Sequence, residues 1–266
     1  MTLPRRVLVT GGGSGIGEAI ALRLAAQGSA VLIVGRDAAK LQAVAAQAPQ
    51  RISTLTADLT VDSDRRRVID QAQAWDGIGI DALVNNAGVS QHGFFEDLNA
   101  ETVTAILSSN LLAPILLTQA LLPHLQSRPR AHLVNLGSAF GFIGYPSQTV
   151  YSASKFGIRG FTEALRRELA GSSVHVHHIA PRATRTPMNA GTMDRLNAEL
   201  GNPVDAPERV ADAVLHAMAR GRNESVIGWP ERFFTRLNGV FPQLIDGALI
   251  KQLPVIRRLI QGDLRS

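Results

Sequence analysis

The 266-residue sequence has no cysteine, which excludes disulfide bonds, thiolate metal sites and a cysteine nucleophile, and fits a reducing cytoplasm. Aromatic residues are scarce at 5%, with only two tyrosines, so the position of each asks for a reason. Uninterrupted apolar runs of bilayer length are missing as well. The nearest, LLAPILLTQALLPHL at 111–125, is broken by Pro114, Thr118, Gln119 and His124 and reads as a buried helix. The opening MTLPRRVLVTGGG has too short an apolar stretch for a secretory signal. Repeats, low-complexity tracts and long linkers are also lacking, so one large core is expected. The net charge of +5 raises the question of nucleic acid. Much of the excess sits after residue 228, where Arg232, Arg236, Lys251, Arg257, Arg258 and Arg265 outnumber Glu231, Asp246 and Asp263. These charges lie among Phe, Leu and Ile without the aromatic–basic interleaving that stacks bases, so no nucleic-acid partner is expected.

What is present is alternation. Short β-branched or apolar runs at 6–10, 30–35, 52–57, 82–86, 131–137, 174–180 and 225–228 are separated by segments with apolar residues three and four apart. This predicts an α/β fold: a Rossmann-type, doubly wound parallel sheet of about seven strands between two helical layers. Its ligand crevice lies beyond the carboxyl ends of the strands. The domain spans 1–228, and 229–266 reads as a helical, amphipathic extension of it.

The first predicted strand runs into TGGGSGIG at 10–17, which opens a helix. In that setting Gly11 permits the tight turn, Gly15 allows close approach to a pyrophosphate, and Gly17 lets helix and sheet pack; the helix N-terminus offers free N–H donors. The second strand ends in Gly35 and Arg36, with Asp37 as a helix cap. An arginine there can pair with a 2′-phosphate, whereas an acid would bind ribose hydroxyls. NADP(H) is therefore favoured, with NAD(H) left open.

YSASK at 151–155 places Tyr151 and Lys155 on one helical face. A free phenol titrates near 10, and a neighbouring ammonium moves it toward working pH, as general acid–base chemistry requires.

With TGGGSGIG at 10–17, ADL at 57–59, NNAG at 85–88, Asn110, Ser138, Tyr151 and Lys155 in this order, the chain resembles the short-chain dehydrogenases/reductases over about residues 5–228. The resemblance implies that Tyr151 is the general acid/base, Ser138 holds the reacting oxygen, Lys155 tunes the phenol and binds the nicotinamide ribose, and Asn110 holds a water leading from the lysine to solvent. It implies cofactor contacts from Thr10, Gly11, Gly13, Ser14, Gly15, Ile16 and Gly17 in the first turn, and from Arg36, Asp58 and Leu59 around the adenosine. Asn86, Ala87, Gly88, Tyr151, Lys155, Pro181, Thr184 and Thr186 complete the set. The expected reaction is hydride transfer between nicotinamide and a carbonyl or carbinol carbon, without a metal. An NAD-dependent alcohol dehydrogenase and a catalytically silent dinucleotide sensor or scaffold are the competing readings. His175, His177 and His178 alternate along a strand and read as packing or surface residues.

Two departures from the family pattern stand out. Arg182 follows Pro181 where the family has glycine, leaving open an anion-binding or a solvent-facing role, and Ser14 stands where NADP enzymes often carry a basic residue. The extension has Pro230, Pro242 and Pro254, which predict three short helices. Phe233, Phe234, Leu237, Val240, Phe241, Leu244, Ile245 and Leu249 form an apolar stripe suited to packing on the domain or a second subunit, to peripheral membrane contact or to covering a substrate channel. Phe94, Phe95, Phe140, Phe142, Ile143 and Tyr145 fall in loops near the site. Together these point to a lipophilic carbonyl or alcohol substrate, such as a fatty aldehyde, acyl-chain ketone or sterol-like ring. The family habit of pairing through the helices at about 101–126 and 150–170 implies a homodimer or homotetramer. The expected location is cytoplasmic, with membrane association left open.

Overall fold

The seven strands expected from the sequence form β1 (Arg6–Thr10), β2 (Ala30–Gly35), β3 (Ile52–Thr56), β4 (Ala82–Asn85), β5 (Ala131–Leu136), β6 (Val174–Ala180) and β7 (Glu224–Val226) in the computed structural model, which describes residues 3–263. They make one parallel sheet in the order β3-β2-β1-β4-β5-β6-β7. Val9 of β1 stands opposite Ile33 of β2 and Val84 of β4, so the central strands carry β-branched residues on a surface covered from both sides. The order reverses between β1 and β4, and the crevice outside that point is where a ligand is expected.

Ten helices are described: α1 (Gly15–Ala26), α2 (Ala38–Ala45), α3 (Asp62–Ala74), α4 (Ala100–Leu107), α5 (Ala113–Gln126), α6 (Thr149–Glu168), α7 (Thr192–Glu199), α8 (Pro207–Arg220), α9 (Trp229–Asn238) and α10 (Pro242–Asp263). One sheet face is covered by Ile20 and Leu24 of α1, Leu41 and Val44 of α2, and Val210, Val214 and Met218 of α8. The other is covered by Val68 of α3, Leu117, Leu121 and Leu125 of α5, and Leu165 of α6. Helical residues 100–126 are together long and apolar enough to cross a membrane, because their polar residues are mostly uncharged. Leu117, Leu121 and Leu125 are nevertheless fully buried against the sheet, as in a core helix.

The extension differs from expectation in two ways. It makes two helices, not three, because Pro254 lies inside α10. The proline faces solvent, while Leu253, Ile256 and Ile260 around it are held by packing onto α7 and the loops beside it. That contact keeps the helix continuous despite the lost backbone donor. The apolar stripe packs on the domain only at its end, where Ile245 is buried and Leu249 packs on the cluster beside α7, whereas Phe233, Phe234, Val240, Phe241 and Leu244 are exposed. The second half of α10 makes that contact instead.

Candidate active site

The first turn is fastened to β4 before any ligand is considered. Thr10 Oγ1 accepts from the N–H groups of Asn86 and Ala87, both at 3.0 Å, and Asn86 Nδ2 donates to the carbonyls of Thr10 (2.9 Å) and Gly11 (3.2 Å). Gly11 has φ +67°, and a Cβ there would sit 2.8 Å from the Ala87 backbone, so this crossing admits only glycine. At Gly17 a Cβ would run into the Gly11 carbonyl, which leaves no room for a larger residue where α1 meets the turn. Ser14 precedes α1 in extended geometry without a side-chain cap, leaving the donors of the first turn for an anion. Thr186 reaches over this turn, its Cγ2 3.0 Å from where a Gly15 side chain would begin. This cradle fits a dinucleotide.

Beside it lies a cleft of about 230 Å³ that gathers Gly11, Gly13, Ser14, Arg36, Asp58, Leu59, Ala87 and Gly88 from the expected set. Thr10 and Asn86 brace its floor through the hydrogen bonds above, while Gly15, Ile16, Gly17, Tyr151, Lys155, Pro181, Thr184 and Thr186 stand outside its lining. Arg36 is largely exposed, with Nη1 4.0 Å from Asp58 Oδ2. Asp37 caps α2 by accepting from the Lys40 backbone N–H at 3.1 Å, a bond that holds its carboxyl below the usual range. Lys40 also lines the cleft and was missed in the sequence, although its place four residues after Arg36 on the first turn of α2 was a usable signal.

Asn110 sits in a π-helical turn, Ser108–Leu112, between α4 and α5. Pro114 has no N–H to offer the Asn110 carbonyl, so the ordinary ladder cannot close there. The side chain is engaged: Oδ1 accepts from Val89 N–H at 2.8 Å, while Nδ2 donates to Val89 O at 2.9 Å and to Ser154 Oγ at 3.1 Å. Ser154 in turn donates to the Tyr151 carbonyl at 2.7 Å. Asn110 thereby ties the loop after β4 to the start of α6.

Ser138 leaves β5 in extended geometry, and its Oγ accepts from the Phe140 N–H at 3.1 Å. Burial raises the Tyr151 phenol, and the hydrogen bond from Ser138 works against that rise. Lys155 is buried and pushed down to about 8 by desolvation. Its Nζ donates to Leu136 O at 2.9 Å and lies 5.6 Å from the centre of the Tyr151 ring. Burial sets the direction for the phenol, opposite to the lowering expected from a neighbouring ammonium.

Arg182 turns inward. Its Nε and Nη2 donate to Asp205 at 3.0 and 2.8 Å and its Nη1 to Glu231 at 3.3 Å, while Asp205 also pairs with Arg209. Neither a solvent-facing nor a free anion-binding arginine describes it. Thr184, next in the loop, donates to the Arg182 carbonyl at 2.9 Å and is buried.

Phe94, Phe142 and Tyr145 are buried near the site, and Phe140 stacks on Tyr145 with ring centres 4.6 Å apart. Phe95 is the exception, at 61% exposed, because the short 3-10 turn it opens faces outward. Gln148, not anticipated from the sequence, is buried, accepts from Ser90 Oγ at 3.0 Å and contacts His92 Nδ1. On the sheet, His132 stacks with His175 and His177, while His178 points to the opposite face beside Phe142.

A parallel sheet with a glycine cradle at its switch point, followed by a serine, a tyrosine and a buried lysine beyond its carboxyl edge, defines a dinucleotide-dependent α/β oxidoreductase. The chain belongs to the short-chain dehydrogenase family, whose sequence profile, described as short chain dehydrogenase, matches residues 5–197. An uncharacterised oxidoreductase of Staphylococcus epidermidis is 35% identical over 223 residues, covering 82% of this chain and 93% of the relative. A short-chain dehydrogenase from Sphingobium yanoikuyae, solved with NADPH, superposes with a TM-score of 0.77 at 29% identity, over 92% of this chain and 96% of that one. A bulky-bulky ketone specific alcohol dehydrogenase from Comamonas testosteroni gives a TM-score of 0.76 at 28% identity, over 92% and 95%.

Proposed function

We propose that the protein is an NADP(H)-dependent oxidoreductase that reduces a lipophilic aldehyde or ketone, with Tyr151 delivering the proton to the forming alcohol oxygen. The observation that carries this reading is the buried Lys155, with its Nζ 5.6 Å from the centre of the Tyr151 ring, and Ser138 acting on the same phenol. A nicotinamide cofactor supplies the hydride when bound. Ser138 orients the carbonyl oxygen, Tyr151 gives it a proton, and Lys155 stabilises the phenolate left behind. The resemblance assigns Lys155 the nicotinamide ribose and Thr186 the carboxamide, and the approach of Thr186 to Gly15 is consistent with that.

Arg36 and Lys40 at one cleft support NADP(H) over NAD(H), as does the NADPH bound by the Sphingobium neighbour. The lipophilic substrate is supported by the apolar cluster of Phe94, Phe140 and Tyr145 with Ile256 and Ile260 of α10, and by the bulky ketones named for the Comamonas neighbour. Exposed Leu112 and Phe156, on the two long helical segments, support pairing of two chains there. The lack of cysteine fits a reducing cytoplasm.

The test is NADPH consumption, with NADH in parallel, against carbonyls from small ketones and sugars to long-chain aldehydes and steroids. Turnover rising with apolar length is expected. The Tyr151→Phe variant should bind NADPH normally and lose at least about a hundredfold in kcat, the lower range for a general acid. Unchanged turnover in that variant would refute the assignment.

A further inference from the structure

Helix α9 is seated with its polar side inward. Glu231 meets Arg182, Thr235 is buried, and Asn238 donates to the Phe142 carbonyl at 2.9 Å, so the residues spaced four and three apart on the docked face are all polar. The opposite face carries Trp229 (76% exposed) and Phe233 (52%), and the apolar surface continues through Val240, Phe241 and Leu244. A helix that anchors itself through an ion pair and an amide leaves its aromatic face for another contact.

That face adjoins a second feature. A cleft of about 180 Å³ at the end of β7 is lined by Arg209, Arg222, Arg232 and His216, with no acidic side chain in its wall. Arg209 is shared with Asp205, and Arg232 uses its Nε on the Val226 carbonyl, but both guanidinium groups border the cleft. Arg232 and Arg236 lie along α9 itself, and both are exposed. Asp246 is the exposed acid on the neighbouring stretch of α10, whereas Glu231 is already paired with Arg182.

We propose that the outer face of α9, the start of α10 and this cationic cleft form a docking surface for an anionic lipid bilayer. Trp229 and Phe233 enter the interface while Arg222, Arg232 and Arg236 meet phosphate headgroups, the division of labour of an interfacial amphipathic helix. A second copy of the chain is the poorer occupant. A two-fold contact through this face would gather the exposed arginines of both copies into one interface.

The experiment is flotation of the full chain with vesicles of phosphatidylcholine alone or mixed with phosphatidylglycerol. Binding to the anionic vesicles, at least about tenfold over the neutral ones and falling with salt, is expected. It should be lost in Trp229→Ser/Phe233→Ser and weakened in Arg222→Glu/Arg236→Glu. These substitutions are on the surface, and an unchanged circular dichroism melt checks that they fold. No flotation, equal flotation with neutral vesicles, or loss of a dimer by light scattering in the Trp229→Ser/Phe233→Ser variant would each overturn the proposal. Displacement by inorganic phosphate at constant ionic strength would overturn it too, marking the cleft as a site for a soluble anion. Flotation is read without turnover, so its failure leaves the reductase assignment standing, and the reverse holds as well.

Discussion

Arg182 Nη1 lies 3.3 Å from Glu231 Oε2, and this bond joins the loop after β6 to the first helix of the extension. The same guanidinium grips the buried Asp205, whose backbone N–H bonds the Ala183 carbonyl at 2.9 Å and whose carbonyl accepts from Arg185 at 2.8 Å. Removing the arginine leaves the buried Asp205 carboxylate with only the half-exposed Arg209 as a partner, the change that makes broken internal ion pairs expensive. Arg182→Ala should therefore lose about 3–5 kcal/mol of stability, measured by urea denaturation. Adding Asp205→Asn should restore part of it. Equal stability of Arg182→Ala and wild type would contradict this role.

Arg36 and Lys40 make separable contributions at the adenosine end of the cleft. A charge-assisted bond to a phosphate is worth about 1.5–3 kcal/mol, and exposure of Arg36 argues for the lower figure. Arg36→Ala should weaken NADPH by about tenfold and NADH little, with Lys40→Ala producing a smaller loss of the same kind. Fluorescence titration of both cofactors measures the ratio. Equal loss for both in Arg36→Ala would remove the basis for NADP(H) preference.

Strands were legible because a sheet covered on both faces needs runs such as AVLIVG, and the cradle because Gly11 and Gly17 answer to backbone contacts that no other residue satisfies. The same local logic located Asp37 as a cap. What it missed depends on contacts distant in sequence. Arg182 is defined by Asp205 and Glu231, 23 and 49 positions away, and the outward stripe of α9 by a helix that docks through Glu231 and Asn238. The π turn at Asn110 lies between these cases, since Pro114 is visible in the sequence but its effect on a carbonyl four residues earlier shows only in the fold. Phe95 misled because it shares composition with buried Phe94, while backbone direction separates them.

The buried histidines make stability pH-dependent. Desolvation lowers His132 and His178 from 6.5 to about 3; His177, Arg130 and His175 add to this at His132, as Arg159, Lys155 and Arg166 do at His178. Glu224, 3.8 Å from His178 Nδ1, is the opposing charge and does not reverse the shift. Between these pH limits the unfolded chain binds more protons than the folded one, so stability rises with pH and is lost on acidification below the ordinary histidine range. Each group should cost of order 2 kcal/mol at about pH 5 relative to neutrality. Denaturation midpoints at the two pH values test this in wild type and His178→Met. A variant slope as steep as wild type would exclude His178 as a source.

Pro254 offers a change in the stabilising direction. It lies within the continuous α10, where its missing N–H leaves the Ile250 carbonyl without its usual partner and its ring crowds the preceding turn. Ile250 is 65% exposed, so water can compensate that carbonyl and the helix survives, but the intrinsic penalty against alanine in a helix interior is about 3 kcal/mol. Loss of proline also frees the unfolded chain, which takes back up to about 1 kcal/mol, and relaxation of the turn absorbs more. The expected net gain in Pro254→Ala is about 1 kcal/mol, seen as a higher melting temperature with unchanged NADPH affinity because the substitution is remote from the cofactor cleft. A lower melting temperature would mean that the packing of Leu253, Ile256 and Ile260 onto α7 and the aromatic loops depends on a bend the proline imposes.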